Sequence, residues 1–222
     1  MTYAPPVVRH LADRLDGLGW VTDLLVAGSL ATGDYVPGVS DLDLVALTGG
    51  PVSRARQQML ASLHRELDRG ALHPTWTHGC LVQRSLSGVT RAELVRHGFA
   101  VVGRPPAAVL PDMTDDDVRR AAGAKLCGYW AQAVRRPLWR LNPVIADLGL
   151  TSMARGRHAL QTGQLLTKTR AIERAHAPAW LKDQLRARRR GERIASPRTR
   201  TALIAWQDAR RTVASACRRA PD

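Results

Sequence analysis

Two short apolar runs near the N-terminus, VTDLLVAG (residues 21–28) and DLDLVAL (41–47), leave twelve residues between them. Both are built of β-branched and aliphatic side chains and read as strands. The first ends at Gly28; the second starts after Pro37-Gly38-Val39-Ser40 and stops at Gly49-Gly50-Pro51. The intervening turn has to bring Ser29 opposite Asp41 and Asp43. On a strand, side chains alternate between faces, so the two aspartates share one face while Leu42 and Leu44 turn to the core. Two carboxylates a few ångströms apart raise each other's pKa unless a cation lies between them. Hard oxygen ligands in this number suit Mg²⁺, which completes its shell with water and phosphate. Gly28 lets the backbone come close to a phosphate, and Ser29 offers an N–H and a hydroxyl. Taken singly, Ser29 reads as a helix N-cap and Asp41 as a turn cap. The ordered set of strand, Gly-Ser, turn, Asp-x-Asp and strand favours a metal site that handles a triphosphate.

The rest of the first hundred residues supplies partners for those strands. Val8, Leu11, Leu15 and Leu18 recur at helical spacing behind Pro5-Pro6, predicting a helix over 5–17. Residues 52–69 read as a second helix with Met59, Leu60, Leu63 and Leu67 on one face. HPTWTHGCLVQRSL (73–86) reads as a third strand, TRAELVRHG as a short helix ending at Gly98, and FAVVG as a short strand. The proline-rich stretch RPPAAVLPDM (104–113) is the natural connector, giving domains 1–103 and 114–222. Beyond it no strand pattern occurs. Thr114 caps a helix whose first turn holds Asp115 to Asp117, and helices are expected near 115–135, 143–161, 167–175, 178–190 and 197–217. The fold class is therefore α+β: a small mixed sheet with flanking helices, then an all-helical half.

Composition narrows the function classes without selecting one. Lys and Arg number 33 against 19 Asp and Glu, a net charge of +14, and only Lys125, Lys168 and Lys182 are lysines. Such a field attracts polyanions, nucleotides and nucleic acid alike. No apolar run reaches the length of a membrane span, and the N-terminus has no apolar core of signal-peptide length. Cys80, Cys127 and Cys217 form no C-x-x-C pair, so neither a zinc knuckle nor a secreted disulfide framework is suggested, and a reducing cytoplasm fits best.

AGSLATGDYVPGVSDLDLVAL resembles the signature of minimal nucleotidyltransferases of the polymerase-β superfamily, written roughly G-S-x(10–12)-D-x-D. The resemblance implies transfer of a nucleoside monophosphate from an NTP to an acceptor hydroxyl, with Gly28 and Ser29 holding phosphates and Asp41 and Asp43 the metal and the chemistry. AVVGRPPAAVLPD, followed by MARGRHALQTGQLLTKTRAIERA, is similar to the layout of streptomycin/spectinomycin adenylyltransferases. By that resemblance Arg155 and Lys168 reach ATP phosphates, Mg²⁺ is the metal, and the acceptor is a small hydroxylated molecule, an aminoglycoside or aminocyclitol first.

The chain departs from that pattern in one respect. Such enzymes carry a third acid on the next strand, as metal ligand or general base, and ALHPTWTHGCLVQRSL contains neither Asp nor Glu. Glu66, Asp68, Glu93 or Asp147 would have to reach the site, or His73 or His78 act as base, or the chain binds nucleotide without turnover as a regulator. AMP transfer to a protein or RNA partner, as in nucleotidyltransferase antitoxins, is the other enzymatic alternative. Trp76, Trp130, Trp139 and Trp180 are candidate pocket residues, and Asp115 to Asp117 with Asp147 candidate acids for a cationic acceptor. The run RARRRGERIASPRTR (186–200) reads as a solvated helix end, with binding of RNA or another polyanion as the alternative.

Overall fold

The computed structural model describes residues 4–70 and 86–218. The third strand expected at 73–86, with His73, Trp76, His78 and Cys80, lies outside the described residues. The chain divides into two compact units, one of Met1–Thr32, Leu42–Leu86 and Glu93–Asp112, the other of Gly33–Asp41, Ser87–Ala92 and Met113–Asp222.

The first unit is built on β1 (Val21–Val26), flanked by β2 (Leu44–Thr48) and β3 (Phe99–Val102) in the order β2-β1-β3, with both pairings antiparallel. Leu24, Leu25, Val26 and Ala27 are fully buried because both faces of the central strand are covered. On one face, Leu24 packs with Ala12 and Leu15 of α1 (Pro6–Asp16) and Leu63 of α3 (Arg54–Gly70). On the other, Leu25 and Ala27 pack with Leu94 of α4 (Gly88–His97). Helix α1 presents Val8, Ala12 and Leu15 inward at helical spacing, with Pro6 in its first turn. Met59 departs from the expected face of α3: it is exposed, and Leu60 and Leu63 alone of the described side chains there join the core. The connector 104–113 is not wholly irregular, since Pro106–Val109 form a single helical turn, α5.

A buried carboxylate ties the sheet to the connector. Asp23, on β1, accepts hydrogen bonds from the Arg104 amide (2.7 Å), from Arg104 Nε and Nη2 (3.1 and 2.9 Å) and from the Thr22 hydroxyl (2.6 Å). Gly103, at φ +81°, makes this approach possible: a Cβ there would stand 2.5 Å from Asp23 Oδ1 and 2.4 Å from the Thr22 carbonyl oxygen.

The second unit has no strand among its described residues and consists of helices joined by turns. α6 (Asp115–Lys125) starts with a capping box between Thr114 and Asp117. It runs through a π-helical turn, Leu126–Trp130, into α7 (Ala131–Val134). A 3₁₀ turn at Pro137–Leu141 leads to α8 (Pro143–Thr162), capped by the Asn142 side chain and closed by Gly163 at φ +72°. α9 (Lys168–Arg174), capped by Thr167, then α10 (Ala179–Arg189) and α11 (Arg198–Cys217) complete it. Two cores form around α8. Met153 packs with Leu126, Trp130, Ala209 and Val213, and Ala146 and Leu150 pack with Ile172, Leu181, Leu185 and Ala205.

The cysteines correct the sequence reading. Cys127, in the π-helical turn, and Cys217, ending α11, form a disulfide across 90 residues with their Cα atoms 5.5 Å apart. Leu126 and Ala216, their neighbours in sequence, are buried in one cluster, so the fold brings together thiols that sequence spacing keeps far apart. The cysteine pattern therefore no longer argues for a reducing compartment. Among the described residues no helix is long and apolar enough to cross a membrane.

Two outcomes test these features. The Arg104 guanidinium and amide hold the Asp23 carboxyl well below the usual carboxylate range, so its contribution is present above about pH 4 and is lost as pH falls further. Asp23→Asn should cost about 1–3 kcal/mol near neutrality, and thermal unfolding at a series of pH values should show the gap to wild type narrowing below about pH 4. Thiol titration of the unfolded, unreduced chain should count Cys80 alone of the 3 cysteines, and reduction should lower stability by about 2–4 kcal/mol.

Candidate functional site

Gly28 opens the single helical turn α2 (Gly28–Ala31) directly after β1. Its φ is +61°, and a Cβ built on it would lie 1.8 Å from Asp43 Oδ2. Only glycine satisfies both demands. The close approach expected at Gly28 is thus already made inside the protein: the Asp43 carboxylate sits against the bare Cα. Asp43 is held there through its backbone, because Val26 pairs with Leu44 and the Ala27 amide donates to the Asp43 carbonyl oxygen at 2.8 Å. Ser29, next in α2, is buried, and its Oγ has no hydrogen-bond partner among the described residues.

The two acids do not lie on a strand, as the alternation of residues 41–47 implied. Strand β2 begins at Leu44, and Asp41 and Asp43 precede it. An ion pair draws Asp41 away from ladder geometry: Lys168 Nζ, at the first position of α9, donates to Asp41 Oδ1 at 2.6 Å. Arg155, half-buried on α8, donates from Nε to the Leu166 carbonyl oxygen at 2.8 Å, so it braces the turn from which Lys168 projects. Arg155, Lys168 and Asp41 belong to one compact unit, and Gly28, Ser29 and Asp43 to the other.

Within the first unit, Asp43 offers a hard carboxylate oxygen suited to a divalent ion, and the buried Ser29 hydroxyl, without a partner among the described residues, is a polar group that a phosphate would satisfy. Among the described residues no group of three or more His, Cys, Asp or Glu is gathered as a metal site. Two candidates for a third acid have other employment, and Glu93 is buried. Glu66 pairs with Arg14 at 2.9 Å on the surface. Asp147 receives a two-pronged contact from Arg188, Nε to Oδ2 at 2.6 Å and Nη2 to Oδ1 at 3.0 Å. Burial nonetheless pushes the Asp147 carboxyl up. The side chain of Asp68 lies outside the described residues.

The acceptor candidates resolve differently from expectation. Asp115 to Asp117 serve α6: Asp117 completes the capping box, Asp116 pairs with Arg119, and Asp115 accepts from Gln164. Trp130 is core, lining with Lys125, Ser152, Arg155 and Leu166 a cavity of about 60 Å³, room for a few waters. Trp139 stacks under Arg136 and Trp180 under Arg200. The arginine run closes α10 and is exposed over most of 190–200, as a solvated helix end is, yet several of its arginines also meet acids. Arg186 pairs with Glu173 and Asp183, Arg188 with Asp147, Arg189 with Asp34 and Arg190 with Glu192.

Residues 8–98 match the profile of the nucleotidyltransferase domain. This protein carries a nucleotidyltransferase domain. Within it lie Gly28, Ser29, Asp41 and Asp43. Among solved structures, the chain is similar to spectinomycin adenyltransferase AAD(9) from Enterococcus faecialis, a structure that holds ATP and spectinomycin. The two are 16% identical, with a TM-score of 0.66 over 92% of this chain and 98% of that one, so they share a fold. Comparison with curated protein sequences gives no match. The shared fold is thus an α+β domain followed by a helical half.

Gly28 and Gly33 provide a matched pair for testing the site's geometry. Both have positive φ, +61° and +71°, but a Cβ on Gly33 meets nothing within 4 Å. Each alanine substitution should cost about 1–2 kcal/mol through backbone strain. Gly28→Ala should lower the melting temperature further, because it also evicts the Asp43 carboxylate; differential scanning calorimetry of the two variants checks this.

Proposed function

We propose that the protein transfers AMP from ATP, with Mg²⁺, to a hydroxyl of a small acceptor, an aminoglycoside or aminocyclitol antibiotic being the leading class. The observation that carries this reading is the Asp43 carboxylate seated on the Gly28–Ser29 turn, inside the segment that matches the nucleotidyltransferase domain. The fold likeness to an adenyltransferase holding ATP and spectinomycin supports the choice of nucleotide and acceptor.

In this reading Asp41 and Asp43 hold the metal. A divalent ion there supplies charge neutralisation of the triphosphate and polarises the phosphorus under attack. Ser29 Oγ gains in a phosphate oxygen the partner it lacks among the described residues. The acceptor hydroxyl oxygen bonds to the α-phosphorus and its proton passes to solvent, while the bond to the α–β bridging oxygen breaks and pyrophosphate leaves with the electron pair. Lys168 exchanges its contact with Asp41 for the phosphates, and Arg155 adds a second positive charge beside the turn that carries Lys168. Both stabilise charge as it develops on the leaving group.

Pyrophosphate release from Mg-ATP, measured with and without a panel of aminoglycosides and aminocyclitols, tests the proposal. Release should depend on acceptor and fall at least about a hundredfold in Asp43→Asn, while Lys168→Ala should lose both apparent ATP affinity and turnover. Acceptor-independent release that ignores Asp43→Asn would sink it.

A further inference from the structure

We infer that Arg189, the last residue of α10, is a positioning residue that sets where Asp41 stands. The inference rests on Asp41 and Asp43 being the metal-holding pair. Residues 33–41 form the turn that ends in Asp41, and the turn closes on itself. The Val39 and Ser40 amides donate to the Val36 carbonyl oxygen at 3.1 and 2.9 Å, and the Val36 amide donates to Ser40 Oγ at 3.0 Å. Local bonds of this kind fix the turn's shape but not its place.

Its place comes from contacts with α9 and, at two points of the turn, from one guanidinium. Arg189 Nη1 donates to Ser40 Oγ at 2.8 Å, and Nη2 lies against both the Asp34 carbonyl oxygen and Asp34 Oδ2, the latter at 3.2 Å. A single fork therefore grips the turn near its start, at Asp34, and at its end, beside Asp41. Asp34 Oδ2 also accepts from the Thr169 amide at 3.0 Å, one residue after Lys168. The turn is thus tied to the same stretch of α9 that supplies the partner of Asp41. The Arg189 and Asp34 side chains are only 11% and 13% exposed, so neither charge has much water to fall back on if the other is removed. Behind them Val39 packs against Gly191, at φ +90°, where a Cβ would meet Val39 Cγ2 at 3.3 Å.

The geometry explains why an arginine stands here. Two separated acceptors, a hydroxyl and the Asp34 oxygens, are met by a planar fork; a lysine ammonium at the same place satisfies the charge but not the spacing. Arg189 touches no reacting atom in this reading. It acts through Asp41, by holding the backbone that presents that carboxylate.

Binding of Mn²⁺ in the presence of ATP, followed by electron paramagnetic resonance on the full-length chain, is the test, with thermal unfolding on each variant. Asp43→Asn is the control for the metal pair. Arg189→Ala should weaken Mn²⁺ binding about tenfold to a hundredfold, and Arg189→Lys by less, with the fold retained. Asp34→Ala should weaken it comparably, and the double variant should lose little more than either alone, since both act on one clamp. Wild-type Mn²⁺ affinity in folded Arg189→Ala, alongside loss in Asp43→Asn, overturns the role of Arg189 and leaves the metal pair standing. Should Arg189→Ala not fold, wild-type affinity in folded Arg189→Lys overturns it equally. Undiminished binding in Asp43→Asn removes the metal pair itself, and the inference with it.

Discussion

The pairing of β2 with β1 is the constraint on which the candidate site depends. Val26 opposite Leu44 and the Ala27 amide on the Asp43 carbonyl oxygen place an acid beside the one residue in the first turn that can take it. A slip of one residue would turn Leu44 outward and present Leu42 or Leu44 to Gly28. Burial of the central strand on both faces makes that slip costly, so the hydrophobic core and the position of Asp43 are enforced by the same ladder. The chemistry of the turn is in this sense borrowed from the packing of the sheet.

The elements of the fold were largely legible because their signals are local. Asn142, Thr114 and Thr167 each stand before a helix and each side chain caps it; Gly163 ends α8 in the left-handed conformation. The Gly-Ser and Asp-x-Asp motif was legible for the same reason, its parts lying within two dozen residues. What escaped depends on long-range partners. The extent of β2 was misread because alternation alone cannot register that Asp41 answers to Lys168, 127 residues away. The same limit hid the Cys127–Cys217 pair, and it hid the acids that Arg186, Arg188 and Arg189 face, since a run of like charges in sequence says nothing about what each side chain meets in space.

That last point changes the meaning of the chain's charge. The arginines of 186–200 look like a polyanion-binding strip when counted, yet four in succession are engaged by carboxylates of their own unit. Arg188 crosses from α10 to Asp147 on α8, and Arg189 to the turn at 33–41. Guanidinium groups suit such work because they meet two oxygens at once and are weakly hydrated. Part of the positive excess is therefore structural cross-bracing of a helical unit rich in alanine, where small side chains allow close packing but supply little area for burial.

The disulfide has a topological corollary. Together with the backbone from Cys127 to Cys217 it makes a covalent ring, and Arg155, Lys168 and Arg189 all ride on that ring. A single peptide-bond cleavage anywhere within it opens a loop without releasing a fragment: the helices that bear the three cations stay tethered at both cut ends. For this half of the molecule, backbone scission and loss of material are separate events, and only reduction joins them.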